Sequence, residues 1–211
     1  MELIGEMEHV IGTGFRVINF PAFEIQDPSD PDESYLEMTP EAKKRANEVI
    51  EYIKKSRGEF ISGCVDVEYL LGESISRFFL EKSPKREILH ELILDTPFFS
   101  FKKKKNILQS IMKKYPNEFG NFSDEQRNKF FTRLENIIRK RNAMAHGVVI
   151  IDLKSDKAEL QFYDENKNKM DKLLISQKFF QDLKEEISTI VFTSFCDIAH
   201  RPTIIVNSEV Q

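Results

Sequence analysis

Apolar residues recur at the three-and-four spacing of a helix face from Thr39 to Gly147, change to a spacing of two from Val148, and return to helical spacing after Ser176. The first helix is predicted from Thr39, as N-cap before Pro40, to about Ser56, with Ala42, Ala46, Val49, Ile50 and Ile53 on one face and a break at Gly58. A second, over 60–80, is apolar around much of its circumference through Ile61, Cys64, Val65, Val67, Leu70, Leu71, Ile75, Phe78 and Phe79, which marks burial on more than one side. Ser83-Pro84 opens a third that ends before Thr96-Pro97. After the apolar corner Phe98-Phe99-Ser100-Phe101, Lys102, Lys103, Lys104 and Lys105 are expected on the exposed first turns of a fourth helix that stops near Pro116. The fifth begins at Ser123-Asp124-Glu125-Gln126, which has capping-box spacing, and runs through Phe130, Phe131, Leu134, Ile137 and Ile138 to Gly147.

The period of two over 148–163, interrupted by Lys154-Ser155-Asp156-Lys157, predicts a β-hairpin. Asn166-Lys167-Asn168-Lys169 reads as a second turn, and Lys172–Ile175 can add a short third strand. Ser176 caps a last helix with Phe179, Phe180, Leu183, Ile187, Ile190, Val191, Phe195 and Ile198 inward, ended by Pro202. Before Thr39 there is no sustained helical period: Phe15, Val17 and the run to Phe20 form a short strand or an apolar arm, and the acids and prolines of 27–34 read as a linker. The expectation is a mainly α fold with a small hairpin inserted before the last helix: an arm and acidic linker over 1–38, a helical domain over 39–202 and a tail over 203–211.

Composition changes this picture in three places. At 211 residues with 18 Phe, no Trp and 8 Gly, the chain suits one helical domain whose core is packed largely by Phe. No apolar run approaches the ~20 residues of a membrane span, and the first six residues lack the features of a secretory signal, so a cytoplasmic protein is expected. Cys64 and Cys196 lie in apolar helical patterns and read as buried hydrophobes, so neither a metal site nor a cofactor is called for. The net charge of -4 hides an asymmetry: from Lys82 to Arg141 there are 15 Lys and Arg against 7 Asp and Glu, a balance of +8 that leaves -12 elsewhere. A basic stretch on an acidic protein either steers a polyanion or is a solvated helix surface.

The densest chemistry lies in Arg141-Asn142-Ala143-Met144-Ala145-His146-Gly147. On the stripe Phe130, Leu134, Ile137, Arg141, Met144, the arginine takes a position where the pattern calls for an apolar residue, and a charge there needs a partner or a purpose. Asp66, Glu68 and Glu73 are the acids of the second helix, any of which can be that partner. One reading is thus a structural ion pair with a polar C-cap; the other is a functional site. Gly12-Thr13-Gly14 lacks the Lys-Ser/Thr of a phosphate loop and carries no function.

The segment Arg141 to His146 resembles the Arg-x4-6-His motif of the HEPN superfamily, including the polar residue directly after the arginine, and the order of surrounding helices is similar over roughly 40–200. The corner Asp95-Thr96-Pro97-Phe98-Phe99-Ser100-Phe101-Lys102 resembles the region before that motif in bacterial HEPN families such as the mannitol-repressor-like proteins. The resemblance implies an up-and-down helical bundle. It also implies a metal-independent endoribonuclease, a toxin or defence effector, with Arg141 and His146 as catalytic pair, Asn142 shaping the site, and two protomers joining their motifs in a homodimer. Other members of the superfamily are non-catalytic modules that bind RNA, a regulator or a partner such as an antitoxin. On either reading Lys102–Lys105, Arg139 and Lys140 are the expected nucleic-acid-binding residues.

The residues alone make the chemistry reasonable. An imidazole moves protons near neutral pH and a guanidinium holds two phosphate oxygens. On an ideal helix, however, residues five apart are separated by about 140°. Arg141 and His146 therefore meet only at a helix end, through a long side-chain reach, or by the contribution of a second protomer.

Overall fold

Among the described residues before Thr39, which carry no helical period, backbone hydrogen-bonding groups are taken up mainly by strands. The computed structural model describes residues 8–10, 14–27, 30–119, 122–164 and 167–193. In it β1 (Glu8–Val10), β2 (Phe15–Ile18), β3 (Ala22–Asp27) and β4 (Asp30–Met38) precede the first helix. The described residues of the stretch expected as an arm and linker are thus largely strand. β3 and β4 form a separate two-stranded antiparallel ribbon. Every strand of such a ribbon is an edge, where a proline such as Pro31 can be accommodated without loss of a ladder bond, so proline and acid content do not preclude pairing.

The helices follow, and the chain is mainly helical. α1 (Pro40–Leu80) is one helix of 41 residues where two were expected. Thr39 caps it, its Oγ1 accepting from the Ala42 N–H at 3.2 Å. Gly58 does not break it because its position faces open space, while Ile50, Ile53, Phe60, Cys64, Val67 and Leu71 keep one buried stripe running past it. The penalty for a mid-helix glycine, ~1 kcal/mol, is small beside the burial of that stripe. α2 (Lys85–Leu89) passes into a π-helical turn at His90–Leu94, closed by the Asp95 N–H donating to the His90 carbonyl at 2.9 Å. Then come α3 (Phe101–Lys114), a 3-10 turn at Pro116–Phe119 and α4 (Asp124–His146). The capping box of α4 is formed: Ser123 N–H donates to Gln126 Oε1 at 2.8 Å, and Gln126 N–H to Ser123 Oγ at 3.2 Å.

β5 (Val148–Asp152), β6 (Lys157–Asp164) and β7 (Lys169–Ile175) form an antiparallel meander, and β2 joins its other edge in parallel, giving the order β1-β2-β5-β6-β7. The turn between β5 and β6 is held by Asp152 Oδ1, which accepts from the N–H groups of Lys154 and Ser155. α5 (Gln177–Thr193) starts at Ser176, whose Oγ accepts from the Phe179 N–H at 3.1 Å. The expected continuation through Phe195, Cys196 and Ile198 to Pro202, and the tail, lie outside the described residues.

Two compact units share the chain. One comprises 1–61 and 139–183, the other 62–138 and 184–211. In the first, the buried face of the sheet carries Phe15, Val17, Val149, Ile151, Ala158, Leu160 and Phe162, paired in register as Phe15 with Val149, Val17 with Ile151, and Val149 with Leu160. In the second, Leu108, Met112, Phe119 and Leu134 are buried, and the aromatic pairs Phe78–Phe119, Phe122–Phe130 and Phe130–Phe131 lie at centroid distances of 5.8, 6.3 and 5.2 Å. Among the described residues no helix is long and apolar enough to cross a membrane.

Candidate functional site

The end of α4 is fixed by a glycine. Gly147 follows the last helical residue, and its N–H donates to the Ala143 carbonyl at 2.7 Å. A Cβ at Gly147 would stand 2.6 Å from the Ala143 carbonyl oxygen, 2.7 Å from Leu160 Cδ1 and 2.8 Å from the Gln161 carbonyl oxygen. Only glycine lets the helix end this close to β6. Ala143 and Met144 are buried on the inner side of that last turn, and the outer side presents the polar residues.

There Arg141 is half-buried, Asn142 and His146 are exposed, and Arg141 Nη1 donates to Asn142 Oδ1 at 3.3 Å. Within its own unit and among the described residues, no carboxylate lies within ion-pair distance of Arg141; Asp66, Glu68 and Glu73 belong to the other unit. The stem of a long side chain can lie along apolar neighbours while its charged head stays in water, so the stripe position is tolerated without a counter-charge. Helix α4 continues unbroken through His146, so Arg141 and His146 stay about 140° apart around its axis. No hydrogen bond joins them among the described residues; the structure brings Asn142, not His146, to the arginine.

Arg139 is committed elsewhere. Its Nε donates to Asp164 Oδ2 at 2.8 Å and its Nη2 to Asp171 Oδ2 at 2.6 Å, and the guanidinium lies over the Phe162 ring at 5.8 Å. It ties α4 to β6 and β7, and a nucleic-acid role for it is not what this geometry provides. The Lys167 ammonium, at 2.7 Å, and the Lys172 backbone N–H hold the Asp171 carboxyl below its usual range. Lys140, beside it, is half-buried.

The lysine run is split by the helix phase. Lys102 and Lys103 are exposed on the first turn of α3, but Lys104 and Lys105 are 3% and 8% exposed, against the expectation of four solvated lysines. Phe101, Leu108, Ile111 and Met112 define the buried face of α3, and positions 104 and 105 fall on it. Buried ammonium groups need partners. Lys105 Nζ donates to Glu135 Oε2 at 2.6 Å, and Lys104 Nζ stands 3.5 Å from both Glu68 Oε1 and Asp95 Oδ1.

Asp95 leads to a residue that the pattern did not single out. His90, 5% exposed, donates from Nδ1 to Asp95 Oδ2 at 2.9 Å, while its Nε2 lies 3.5 Å from Glu73 Oε1 without a hydrogen bond. Gly72 makes the room: a Cβ there would meet His90 Nε2 at 2.9 Å. Glu73 also faces Arg77 Nε at 3.5 Å, so Lys104, Asp95, His90, Glu73 and Arg77 follow one another inside their own unit, with His90 Nε2 and Arg77 Nε buried and without a hydrogen bond. The sequence signal was the five-residue spacing of His90 and Asp95 across a helix end, together with a glycine on a strongly apolar helix.

Among the described residues no group of three or more His, Cys, Asp or Glu side chains is placed to hold a metal ion. Searches with the whole chain find no matching family model, no matching curated protein and no matching solved structure.

Proposed function

We propose that this chain is a HEPN-type protein: a metal-independent endoribonuclease that works as a homodimer with Arg141, Asn142 and His146 of each protomer around one phosphate. The observation that carries this reading is an arginine without a carboxylate partner among the described residues, one turn before an exposed histidine at a glycine-fixed helix end. An unneutralised guanidinium is free to take a phosphate, and the Asn142 amide bonded to it restricts its swing. Two protomers resolve the 140° divergence, since a two-fold axis beside the motif sets one chain's histidine against the other's arginine.

The chemistry follows from these groups. A neutral imidazole takes the proton of the ribose 2'-OH, the 2'-oxygen attacks phosphorus, and the guanidinium bears the charge of the phosphorane. The bond to the 5'-oxygen then breaks, and a second, protonated imidazole supplies the proton that this oxygen takes. The products are a 2',3'-cyclic phosphate and a 5'-hydroxyl, and no metal is consumed or required by the balance.

Purified protein is expected to cleave single-stranded RNA in EDTA and leave cyclic-phosphate ends. His146→Ala is expected to lower the rate by ~100-fold to ~10,000-fold, the usual weight of a general acid or base, with the dimer intact by light scattering. Cleavage unchanged by this substitution, or a strictly monomeric active protein, sinks the mechanism. The separation of Arg141 from His146 on a continuous helix favours a second reading if dimerisation fails: a non-catalytic module that binds RNA, a regulator or a protein partner such as an antitoxin. Salt-sensitive RNA binding without cleavage identifies it.

A further inference from the structure

With Lys104 and Lys105 turned inward, the outward face of α3 reads Lys102, Lys103, Asn106, Gln109, Ser110, Lys113 and Lys114, all exposed. The helix contains no Asp or Glu, and among the described residues none of these four lysines is paired with a carboxylate. Two of them stand on the first turn, where the partial positive charge of the helix end opposes them. A solvated helix face ordinarily mixes both signs; this one carries only cations, with amide and hydroxyl groups between.

Each end of the face also carries an exposed aromatic ring. Phe98, 77% exposed, has Lys103 Nζ 4.5 Å from its centroid, and the same ammonium donates to the Phe98 carbonyl at 2.8 Å, which fixes the corner. Tyr115, 40% exposed, has Lys114 Nζ 5.5 Å from its centroid. A bare phenyl ring beside ammonium groups suits a ligand that is flat and apolar at one point and anionic at the next. Lys102 and Lys113 are about 16 Å apart along the axis at 1.5 Å per residue, a span suited to a few nucleotides.

We propose that α3 is a track for single-stranded RNA, with bases stacked on Phe98 and Tyr115 and phosphates held by Lys102, Lys103, Lys113 and Lys114. The choice of RNA over DNA rests on the ribonuclease reading; the track itself does not. Aromatic faces accept any base, and lysines as point charges follow a backbone without reading sequence, so binding is sequence-tolerant and favours unpaired strands. The paired bases of a duplex offer no free face to either ring.

The test uses full-length His146→Ala protein, so that no cleavage intervenes, and fluorescence anisotropy with a labelled mixed-sequence RNA of twelve nucleotides across a salt series. Phe98→Ala with Tyr115→Ala is expected to weaken binding by at least ~10-fold while leaving the salt dependence unchanged. Phe98→Tyr retains the stacking face and is expected to bind as the parent does. The triple change of Lys102, Lys113 and Lys114 to Gln is expected to reduce the slope of log K against log salt by about 2, at ~0.7 per phosphate contact on a single strand. Circular dichroism melts of the Phe98 and lysine variants should superimpose on the parent's, whereas Tyr115→Ala also gives up a ring contact with Phe78 at 5.2 Å, so its binding is read at a temperature well below its own melt. The proposal is overturned if the aromatic pair leaves affinity unchanged, if a duplex of the same length binds equally well, or if a polyglutamate peptide binds with the same aromatic dependence. In the chain with His146 intact, cleavage and RNA affinity that both survive the α3 changes in full would sink the track and leave the ribonuclease standing. Binding as described without any cleavage would do the reverse.

Discussion

Arg139 and Arg141 are two residues apart on one helix, yet they belong to regions of opposite character. Arg139 meets two aspartates and a phenyl ring, and Asp164 beneath it has a side chain only 2% exposed. Arg141 has the Asn142 amide oxygen for a partner, with exposed His146 one turn on. Residues two apart point about 200° from each other around a helix, so one arginine faces β6 and β7 while the other turns away. A basic cluster in a sequence is therefore not a unit of function. Phase on the helix sorts it into cations that hold the fold and cations that face outward, and the same sorting separates Lys104 and Lys105 from Lys102 and Lys103.

Both regions depend on one glycine. Gly147→Ala sets a methyl group 2.6 to 2.8 Å from two carbonyl oxygens, and backbone cannot yield as a side-chain tip can. A loss of about 3 kcal/mol is expected by urea denaturation, with cleavage lost alongside it. A variant as stable as the parent would mean that the helix end shifts freely and that the site is not fixed by it. Next, Arg139→Ala removes the 2.8 Å ion pair to the buried Asp164, whose contact with Lys167 is a long one at 4.0 Å. Breaking a buried pair costs about 3 to 5 kcal/mol, and the one-third exposure of Arg139 lowers the expectation to about 2. Arg141→Ala, by contrast, is expected to shift stability by no more than about 0.5 kcal/mol while lowering RNA cleavage. If the two arginine variants lost stability equally, the division drawn between them would fall.

The sequence carried much of this where the cause is local. Thr39, Ser123 and Ser176 were legible as caps because a hydroxyl three residues before an amide has one obvious partner, and the spacing of two after Val148 anticipated β5 and β6. The buried lysines were missed: the stripe Phe101, Leu108, Ile111, Met112 sets positions 104 and 105 inward, but a run of four charges reads more naturally as solvated. What local spacing cannot contain is pairing between distant segments. β2 is a strand because Phe15 to Ile18 lie in register beside Val149 to Asp152, and nothing between residues 1 and 38 foretells that neighbour. Gly58 misled for a related reason, since the stripe passing it on both sides outweighs one residue's helix penalty. At the site, the motif was visible but the acceptors of Arg139 were not, because Asp164 and Asp171 reach it only once β6 and β7 have folded back.

Acid also divides the two regions, by a smaller margin. Asp171 is bound by Lys167, by the Lys172 backbone N–H and by Arg139, and its carboxyl titrates below the ordinary value of 3.8. A depressed folded-state value means that the charged form is favoured by folding, so its contribution is complete above the ordinary value and disappears as pH falls through the folded one. Thermal stability of the parent should therefore exceed that of Asp171→Asn by a constant margin from about pH 7 to about pH 5, and the margin should close below about pH 4. The Arg141 side has no carboxylate partner among the described residues, so Arg141→Ala should run parallel to the parent over the same range. A margin for Asp171→Asn that stays constant down to pH 3 would show that its charge is not what binds Arg139. A margin for Arg141→Ala that closes with acid would reveal a carboxylate partner and remove the free cation on which the phosphate reading depends.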